Sequence, residues 1–381
     1  MIRLTIIALI MGCMAVAAGC GKGSSTTVTT TVPKYNALSN FSTFSSALIG
    51  GNIQKGPFAL KQANYSTVTS PAFSHRSSAF AGPISIATDG ADNYYVANFD
   101  AHNILKIYSS VKVKKFAGTG IAGFGNHSTA YSSTTAAFNS PKAITTTDGS
   151  VFYIADSGNN AIRKIDASGM VSVLAGDGAA GSDDTDTTSL TVVARFSQPS
   201  GVTVVGKYVF VADTNNHTIR MIDTTDVGTG KKARVTTLAG SPGSPGSADG
   251  DRKVARFNQP ARITSDGSNL YVTDFGNRTV RRINLGTGVV DTIAGVAGMA
   301  GSTNGPKGTS LFNWPDGIAT DGVNLYVTDF YSGEVRRIDL TLGKNFETTT
   351  ILTGDSPVGI ASNGSGLYIA ERYKNSIIRI K

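Results

Sequence analysis

Short apolar runs separated by turn residues fill the chain from about residue 80 onward. Residues 196–240 show the pattern clearly: four runs follow the opener Phe196-Ser-Gln-Pro199 and end at Ala239-Gly240. The runs are rich in Val, Ile, Thr, Tyr and Phe, and Gly, Asn and Asp separate them, which is typical of β-strands joined by tight turns. No convincing amphipathic helical pattern follows the N-terminus, so the sequence predicts an all-β protein.

The same unit recurs six times between residues 80 and 381. Each copy has an opener, a strand that often ends in Asp-Gly, a strongly apolar second strand and a third strand with an apolar-basic pair. The sixth copy ends at Lys381 after its third strand. The openers begin at Phe80, Phe138, Phe196, Phe257 and Phe312, and the sixth is Pro357 alone. A unit that repeats every few tens of residues indicates a repeat architecture.

Four-stranded units of this kind bury their faces by stacking against one another. Six of them predict a six-bladed β-propeller of four-stranded antiparallel blades, with an open solenoid as the alternative. The last blade lacks its fourth strand and would leave an unpaired edge. We therefore expect a strand within residues 53–69 to complete that blade and close the ring.

The unit resembles the NHL repeat. Asn216-His217-Thr218-Ile219 stands where that family has Asn-His-Leu, and the preceding Val-Ala-Asp213 and the following Ile-Arg220 match its core. The resemblance covers residues of about 80–381 in six copies. It implies a propeller, and it leaves the function open because the family hosts several functions.

The N-terminus resembles a bacterial lipoprotein signal. Arg3 precedes an apolar stretch that is too short to span a bilayer comfortably, and small residues lead to Cys20. The resemblance implies lipidation of Cys20, with Cys13 as a rival and an unlipidated signal peptide as the alternative. Gly21 after the cysteine favours the outer over the inner membrane.

Three segments follow from this interpretation. Residues 1–19 are a lipoprotein signal peptide, residues 20–52 a Ser/Thr-rich tether, and residues 53–381 the propeller, of which 53–79 supply the closing strand and lead-in and 80–381 the six repeats. The expected location is extracytoplasmic, at the bacterial cell envelope. The lipid would hold the chain to the membrane.

An acid at the end of the second strand stands seven residues before an arginine in four copies. One interpretation is an anion-binding surface like that of RNA-binding NHL domains. We favour structural pairs within each hairpin, because a pair avoids an isolated buried charge, and we expect no nucleic-acid partner. The pairs are Asp156 with Arg163, Asp213 with Arg220, Asp274 with Arg281, and Asp329 with Arg336. The neighbouring Lys164, Arg282 and Arg337 are expected to be solvated, so the net charge of +8 requires no anionic partner.

The copies differ in the turn after the acid, and blades 4 to 6 have aromatic residues there. Exposed aromatic groups mark ligand or partner surfaces, although the rings could simply cover the ends of the blades. The candidate binding residues are Phe275, Trp314, Phe330, Tyr331, Arg372 and Tyr373.

Catalytic and metal-binding patterns are weak. The loop with Asp183, Asp184 and Asp186 is a weak Ca²⁺ candidate without EF-hand spacing. Otherwise no cofactor, no metal and no catalytic residue is expected, since no His-Glu-x-x-His, Gly-x-Ser-x-Gly or P-loop motif is present. The sequence favours a monomeric binding or assembly scaffold for a protein or polysaccharide partner. A metal-dependent hydrolase or lyase with a site in the central channel is the alternative, and a purely structural surface protein is a third hypothesis.

Overall fold

A computed structural model describes residues 79–109, 112–125, 130–185, 193–227 and 233–380. In these residues strands follow one another with no α-helix, and only three-residue 3₁₀ turns interrupt them. No helix long and apolar enough to cross a bilayer occurs in this part of the chain. The signal segment, Cys20, the tether and the predicted closing strand lie outside the described residues.

The strands form six antiparallel sheets, and in blades 2 and 4 a short first strand lies beside the last strand of the meander. Blade 1 contains β1 (Pro83–Thr88), β2 (Tyr94–Asn98), β3 (Asn103–Ile107) and β4 (Val113–Ala117). Blade 2 contains β5 (Tyr131–Ser132), β6 (Pro141–Thr146), β7 (Phe152–Asp156), β8 (Ala161–Ile165) and β9 (Met170–Ala175). Blade 3 contains β10 (Pro199–Val205), β11 (Tyr208–Asp213), β12 (Thr218–Asp223) and β13 (Arg234–Gly240).

The second half of the ring repeats this arrangement. Blade 4 contains β14 (Gly250–Asp251), β15 (Pro260–Ser265), β16 (Asn269–Asp274), β17 (Thr279–Asn284) and β18 (Val289–Ala294). Blade 5 contains β19 (Pro315–Thr320), β20 (Asn324–Asp329), β21 (Glu334–Asp339) and β22 (Thr348–Thr353). Blade 6 has three described strands, β23 (Pro357–Ser362), β24 (Leu367–Glu371) and β25 (Ser376–Ile380).

Blades 2 and 4 have five strands, whereas the sequence predicted four throughout. The extra strands come from the long connections between blades, which were predicted as loops: β5 pairs with β9, and β14 pairs with β18. Each adds only two residues to the outer edge of its blade. The connection thereby satisfies backbone groups that the edge strand would otherwise leave unpaired.

The cores lie between neighbouring blades. Every residue of β11 is buried, because each side of the sheet packs against another blade. Val209 and Val211 of blade 3, for example, share one cluster with Ala155 and Ile162 of blade 2. Burial on both sides explains why the second strands are continuously apolar and do not alternate.

Blades 1 and 6 pack directly against each other. The rings of Tyr94 and Tyr368 have centroids 3.9 Å apart, and the backbone N–H of Gly82 donates to Asn375 Oδ1 at 2.9 Å. The six blades therefore form a closed ring, which confirms the propeller and excludes the open solenoid.

Candidate functional site

A buried acid-arginine pair organises the turn between the second and third strands. Asp213 Oδ1 accepts from the Ser197 N–H at 2.8 Å, and Oδ2 accepts from Arg220 Nη1 at 2.9 Å. The Arg220 guanidinium also lies over the ring of Phe196, 5.1 Å from its centroid. The pair thus ties the opener to the hairpin of the same blade.

The same arrangement occurs in blades 2 and 4. Arg163 Nη1 lies 2.9 Å from Asp156 Oδ2, and Arg281 Nη1 lies 2.8 Å from Asp274 Oδ2. Burial raises the pKa of each of the three carboxyl groups to about 6, even though the arginine favours the charged form. These acids have no access to a ligand, since all three side chains are fully buried.

Blade 5 departs from this geometry. Arg336 Nη1 is 3.9 Å from Asp329 Oδ2 and 3.5 Å from Glu334 Oε2. The asparagine that steadies the acid in blade 3, Asn216, is replaced by Ser332. Asp329 accepts from the N–H of Asn313, as Asp213 does from Ser197, and its Oδ1 also accepts from the backbone N–H of Trp314 at 2.6 Å. The acid in this blade therefore holds the segment that presents the single tryptophan.

Aromatic residues of blades 4 to 6 form a continuous row beside the axis, which we call the aromatic wall: Phe275, Trp314, Phe330, Tyr331 and Tyr373. Trp314 lies 4.8 Å from Phe275, 6.2 Å from Phe330 and 3.8 Å from Tyr331, measured between ring centroids. Phe330 continues the row to Tyr373 at 5.9 Å. Tyr331 and Tyr373 are 58% and 69% exposed. All five rings were singled out in the sequence as candidate binding residues.

The aromatic wall forms one side of a cavity of about 330 Å³, which we call the cup. Phe275, Trp314, Phe330 and Tyr373 line it, and Tyr331 packs on Trp314 at the rim. The opposite side is polar and comes from blades 3 and 4. It consists of Gln198, Ser200, Thr214, Asn215 and Gln259. A volume of this size falls at the lower end of small-molecule sites, which span roughly 300–1,000 Å³.

Charged side chains lie at the bottom of the cup and beside it. Lys142, Arg262 and Arg372 line it together with a single carboxylate, Asp316. Arg372, also a candidate from the sequence, lies 3.3 Å from Asp100 and over the ring of Phe99. The cup thus combines an aromatic side, a polar side and an excess of positive charge.

Arg262 occupies a position near the axis that other blades fill with small residues such as Gly201. A Cβ on Gly201 would lie 2.6 Å from the carbonyl oxygen of Ala261, so a side chain has no room there. Arg262 Nη1 donates to the Ser200 carbonyl at 2.8 Å, and Nη2 reaches the Ile84 carbonyl of the opposite blade at 3.4 Å. The guanidinium therefore extends across the axis at the bottom of the cup.

Lys142 lies in the first strand of blade 2. Its Nζ makes one long contact, 3.5 Å to Ser200 Oγ. Burial lowers the pKa of Lys142 to about 8, and the neighbouring positive charges of Arg262 and Arg372 act in the same direction, whereas Asp316 opposes them. The amine is therefore held close to charges of its own sign.

A second cavity of about 180 Å³ lies along the channel below Arg262. Arg262 and small apolar and hydroxyl residues of the first strands line it, and its described lining contains no His, Cys, Asp or Glu. Likewise, the described residues contain no group of three such side chains placed to hold a metal ion. These residues do not fit the ligand set of a metal-dependent hydrolase or lyase in the channel.

The carboxylates of the weak Ca²⁺ candidate contact arginines. Asp184 Oδ1 lies 2.8 Å from Arg220 Nη2, and Asp183 Oδ2 lies 3.5 Å from Arg195 Nη1. Asp186 lies outside the described residues. The two described acids thus participate in ion pairs on the blade connection.

Sequence reasoning missed Lys142, Arg262 and Asp316. A signal for Lys142 and Asp316 was present in the repeat, because the residue after the opener's proline differs in every copy. These residues are Ile84, Lys142, Ser200, Ala261, Asp316 and Val358. Arg262 is one position further on, where Gly201, Gly317 and Gly359 stand in other copies. The first strands line the two cavities and vary between copies as the turns and connections do.

Comparison with known proteins agrees with this fold. No family model matches the chain. It is 28% identical over 303 residues to the Arabidopsis thaliana protein SUPPRESSOR OF QUENCHING 1, chloroplastic, an alignment that covers 74% of this chain and 27% of the relative. It is 29% identical over 161 residues to human NHL repeat-containing protein 2, covering 39% of this chain and 21% of the relative. The chain thus spans about a quarter of the length of these relatives.

Solved structures from Bacteroides thetaiotaomicron share the architecture. One, a protein of unknown function, matches with a TM-score of 0.56 and 16% identity, and another, described as an auxiliary nutrient binding protein, with 0.54 and 12%. Each alignment covers 79% of this chain and 69% of the other. At these identities the likeness shows the fold alone. The chain is a six-bladed β-propeller. NHL repeat-containing protein 2 is among its homologues, which confirms the resemblance seen in the sequence.

Proposed function

We propose that this propeller is a binding protein of the bacterial cell envelope that holds a polysaccharide end in the cup. One observation carries the proposal. The aromatic wall faces the same cavity as three amide side chains that have no hydrogen-bond partner among the described residues. The side chains of Gln198, Asn215 and Gln259 are exposed and form no hydrogen bond with another described residue. They remain available to a ligand.

The two sides of the cup suit the two faces of a sugar. A pyranose ring presents apolar C–H groups on its face, which pack well on aromatic rings, and hydroxyl groups around its edge. Amide side chains both donate and accept hydrogen bonds, as hydroxyl groups do. Rigid aromatic rings supply contact area with little loss of conformational entropy. A saccharide therefore satisfies both sides at once.

The structural neighbour described as an auxiliary nutrient binding protein is compatible with this proposal, although its likeness extends only to the fold. The extracytoplasmic location and the lipid anchor at Cys20 are part of the proposal and rest on the signal-like N-terminus. A protein partner docked on the exposed rings of Tyr331 and Tyr373 is the competing form of the scaffold hypothesis.

The test uses the purified full-length chain in detergent and a panel of immobilised bacterial and plant oligosaccharides. Trp314→Ala should lower the affinity for any bound oligosaccharide at least ten-fold, because it removes the centre of the aromatic wall. Tyr108→Ala is the matched control, since Tyr108 follows β3 at the end of blade 1 away from the cup. Equal binding by wild type and Trp314→Ala would refute the site, and no binding to the panel would refute the function.

A further inference from the structure

We infer that the saccharide end bound in the cup is anionic, so that the protein selects acidic sugars over neutral ones of the same shape. This inference rests on the proposed function and names the ligand class. It comes from residues in the first strands, which lie below the aromatic wall. The sequence pattern had not marked them as a site.

The balance of charge in the cup is the first observation. Three cationic side chains line it against the one carboxylate of Asp316. Asp316 Oδ1 is 3.5 Å from Arg262 Nε, so it offsets only part of this charge. Arg372 has a further carboxylate, Asp100, at 3.3 Å, so the cation left without an acid of its own is Lys142. A site that bound neutral sugars would have no use for this extra charge, whose desolvation is costly.

The guanidinium of Arg262 is the second observation. Only 9% of its side chain is exposed. Nη1 donates to the Ser200 carbonyl at 2.8 Å, whereas Nε is 3.5 Å from Asp316 Oδ1 and Nη2 makes only the long contact to the Ile84 carbonyl at 3.4 Å. An anion above the guanidinium would accept from it in the charge-assisted geometry that arginine favours.

Lys142 adds a second cation, which lines the cup together with Arg262. Because its one contact is 3.5 Å long and its environment is already positive, an anionic group would be its strongest partner in the cup. The groups that face this amine are Arg262, Arg372 and Asp316. An anion would therefore raise the pKa of Lys142 back toward its ordinary value.

The aromatic wall argues against a flat aromatic anion as the ligand. Neighbouring rings already pack on one another at 3.8–6.2 Å and at angles of 24–62°. They form a curved surface with no slot between parallel rings into which a planar ligand could insert. A puckered sugar ring lying on one side of that surface fits better.

The experiment compares matched ligands. The full-length chain is titrated by calorimetry with uronic-acid oligosaccharides, their carboxyl-reduced neutral counterparts and sulfated oligosaccharides. We expect an acidic member to bind at least ten-fold more tightly than its neutral counterpart, and the carboxylated and sulfated arms show which anion the cup takes. Equal binding of charged and neutral members would overturn this inference and leave the proposed function standing. Absence of saccharide binding, or binding of peptides only, would overturn both.

Two variants locate the effect. Arg262→Gln and Lys142→Gln should each reduce the preference for the acidic ligand over its neutral counterpart at least five-fold. Lys115→Gln, an exposed lysine in β4 outside the cup, is the control. Binding at pH 8.5 should take up a proton in the wild type and none in Lys142→Gln. An unchanged preference in both variants would contradict the inference.

Discussion

At the scale of single residues, the family's signature histidine joins neighbouring blades. His217 has a positive φ of 59°, and its Nδ1 accepts from the backbone N–H of Gln259 in the next blade at 3.0 Å. His102 does the same with Ser140 at 2.9 Å. At the same position Asn160 accepts from Gln198 through Oδ1. The sequence identified a turn residue here. It gave no indication of the acceptor role, because the donor lies tens of residues away.

Substitution of His217 tests this role. His217→Ala should destabilise the fold by about 1–2 kcal/mol, because it removes a hydrogen bond and places alanine in the left-handed region. His217→Asn should stay within about 0.5 kcal/mol of wild type, since asparagine tolerates that region and accepts equally. Urea unfolding measures both, and equal losses in the two variants would contradict the assigned role.

Lys142 should make stability depend on pH in the alkaline range. The unfolded chain keeps this proton up to its ordinary pKa of 10.5, whereas the folded chain loses it near 8. Unfolding therefore takes up a proton between these values, and stability rises with pH across this window. The neutral variant Lys142→Met should abolish that rise and stabilise the fold at pH 7, by an amount on the order of 1–3 kcal/mol. Chemical denaturation at pH 7, 8, 9 and 10 measures the free energy of unfolding of both proteins. The same pH dependence in wild type and Lys142→Met would refute the prediction.

At the scale of the element, the aspartates at matching positions of two turns have different partners. Asp213 holds Arg220 at 2.9 Å, whereas Asp329 is 3.9 Å from Arg336 and bonds the backbone of Trp314. In a repeat protein, identical residues at matching positions are expected to have the same role in every copy. Ser332 stands where blade 3 has Asn216, and the acid of blade 5 accepts from the Trp314 N–H in addition to the N–H of Asn313.

Alanine at each acid should separate the two roles. Asp213→Ala should destabilise the fold by roughly 3–5 kcal/mol, because it removes the buried carboxylate that accepts from Ser197, Asn216 and Arg220. It should leave Trp314 emission unchanged. Asp329→Ala should cost less stability, since Asp329 is already 3.9 Å from Arg336. It should shift the emission to the red as the tryptophan segment loosens. Trp314 is the single tryptophan, so fluorescence reports it alone. A shift in Asp213→Ala of equal size would contradict the distinction.

At the scale of the whole molecule, closure of the ring places blade 1 against blade 6. Blade 6 contributes three described strands, and β25 would leave an open edge. The expected fourth strand, within residues 53–69, lies outside the described residues and stays a prediction.

Truncation tests that strand. Deleting residues 21–70 should lower the melting temperature by 10 °C or more, on the assumption that a lost blade strand costs several kcal/mol. Deleting residues 21–50, the tether alone, should have no effect on thermal unfolding. If both truncated chains had the melting temperature of the wild type, the fourth strand of blade 6 would have to come from another part of the chain.

The membrane anchor is a separate prediction at this scale. Cys20→Ala should move the protein from the membrane fraction to the soluble fraction of cells that process lipoproteins, because the acyl chains supply the membrane affinity. Cys13→Ala should remain in the membrane fraction and serves as the control. Fractionation followed by immunodetection measures both, and the opposite pattern would assign the lipid to Cys13.

The sequence by itself determined the repeat, its strands, the residues of the acid-arginine pairs and the aromatic residues of blades 4 to 6. These features depend on local alternation and on comparison of copies, which a linear chain displays. Only the tertiary structure decided that Lys142, Arg262 and Asp316 share one cup, although more than a hundred residues separate the first from the second. The first strand of every blade borders the axis, so closing the ring gathers there residues that have no relation to one another along the chain.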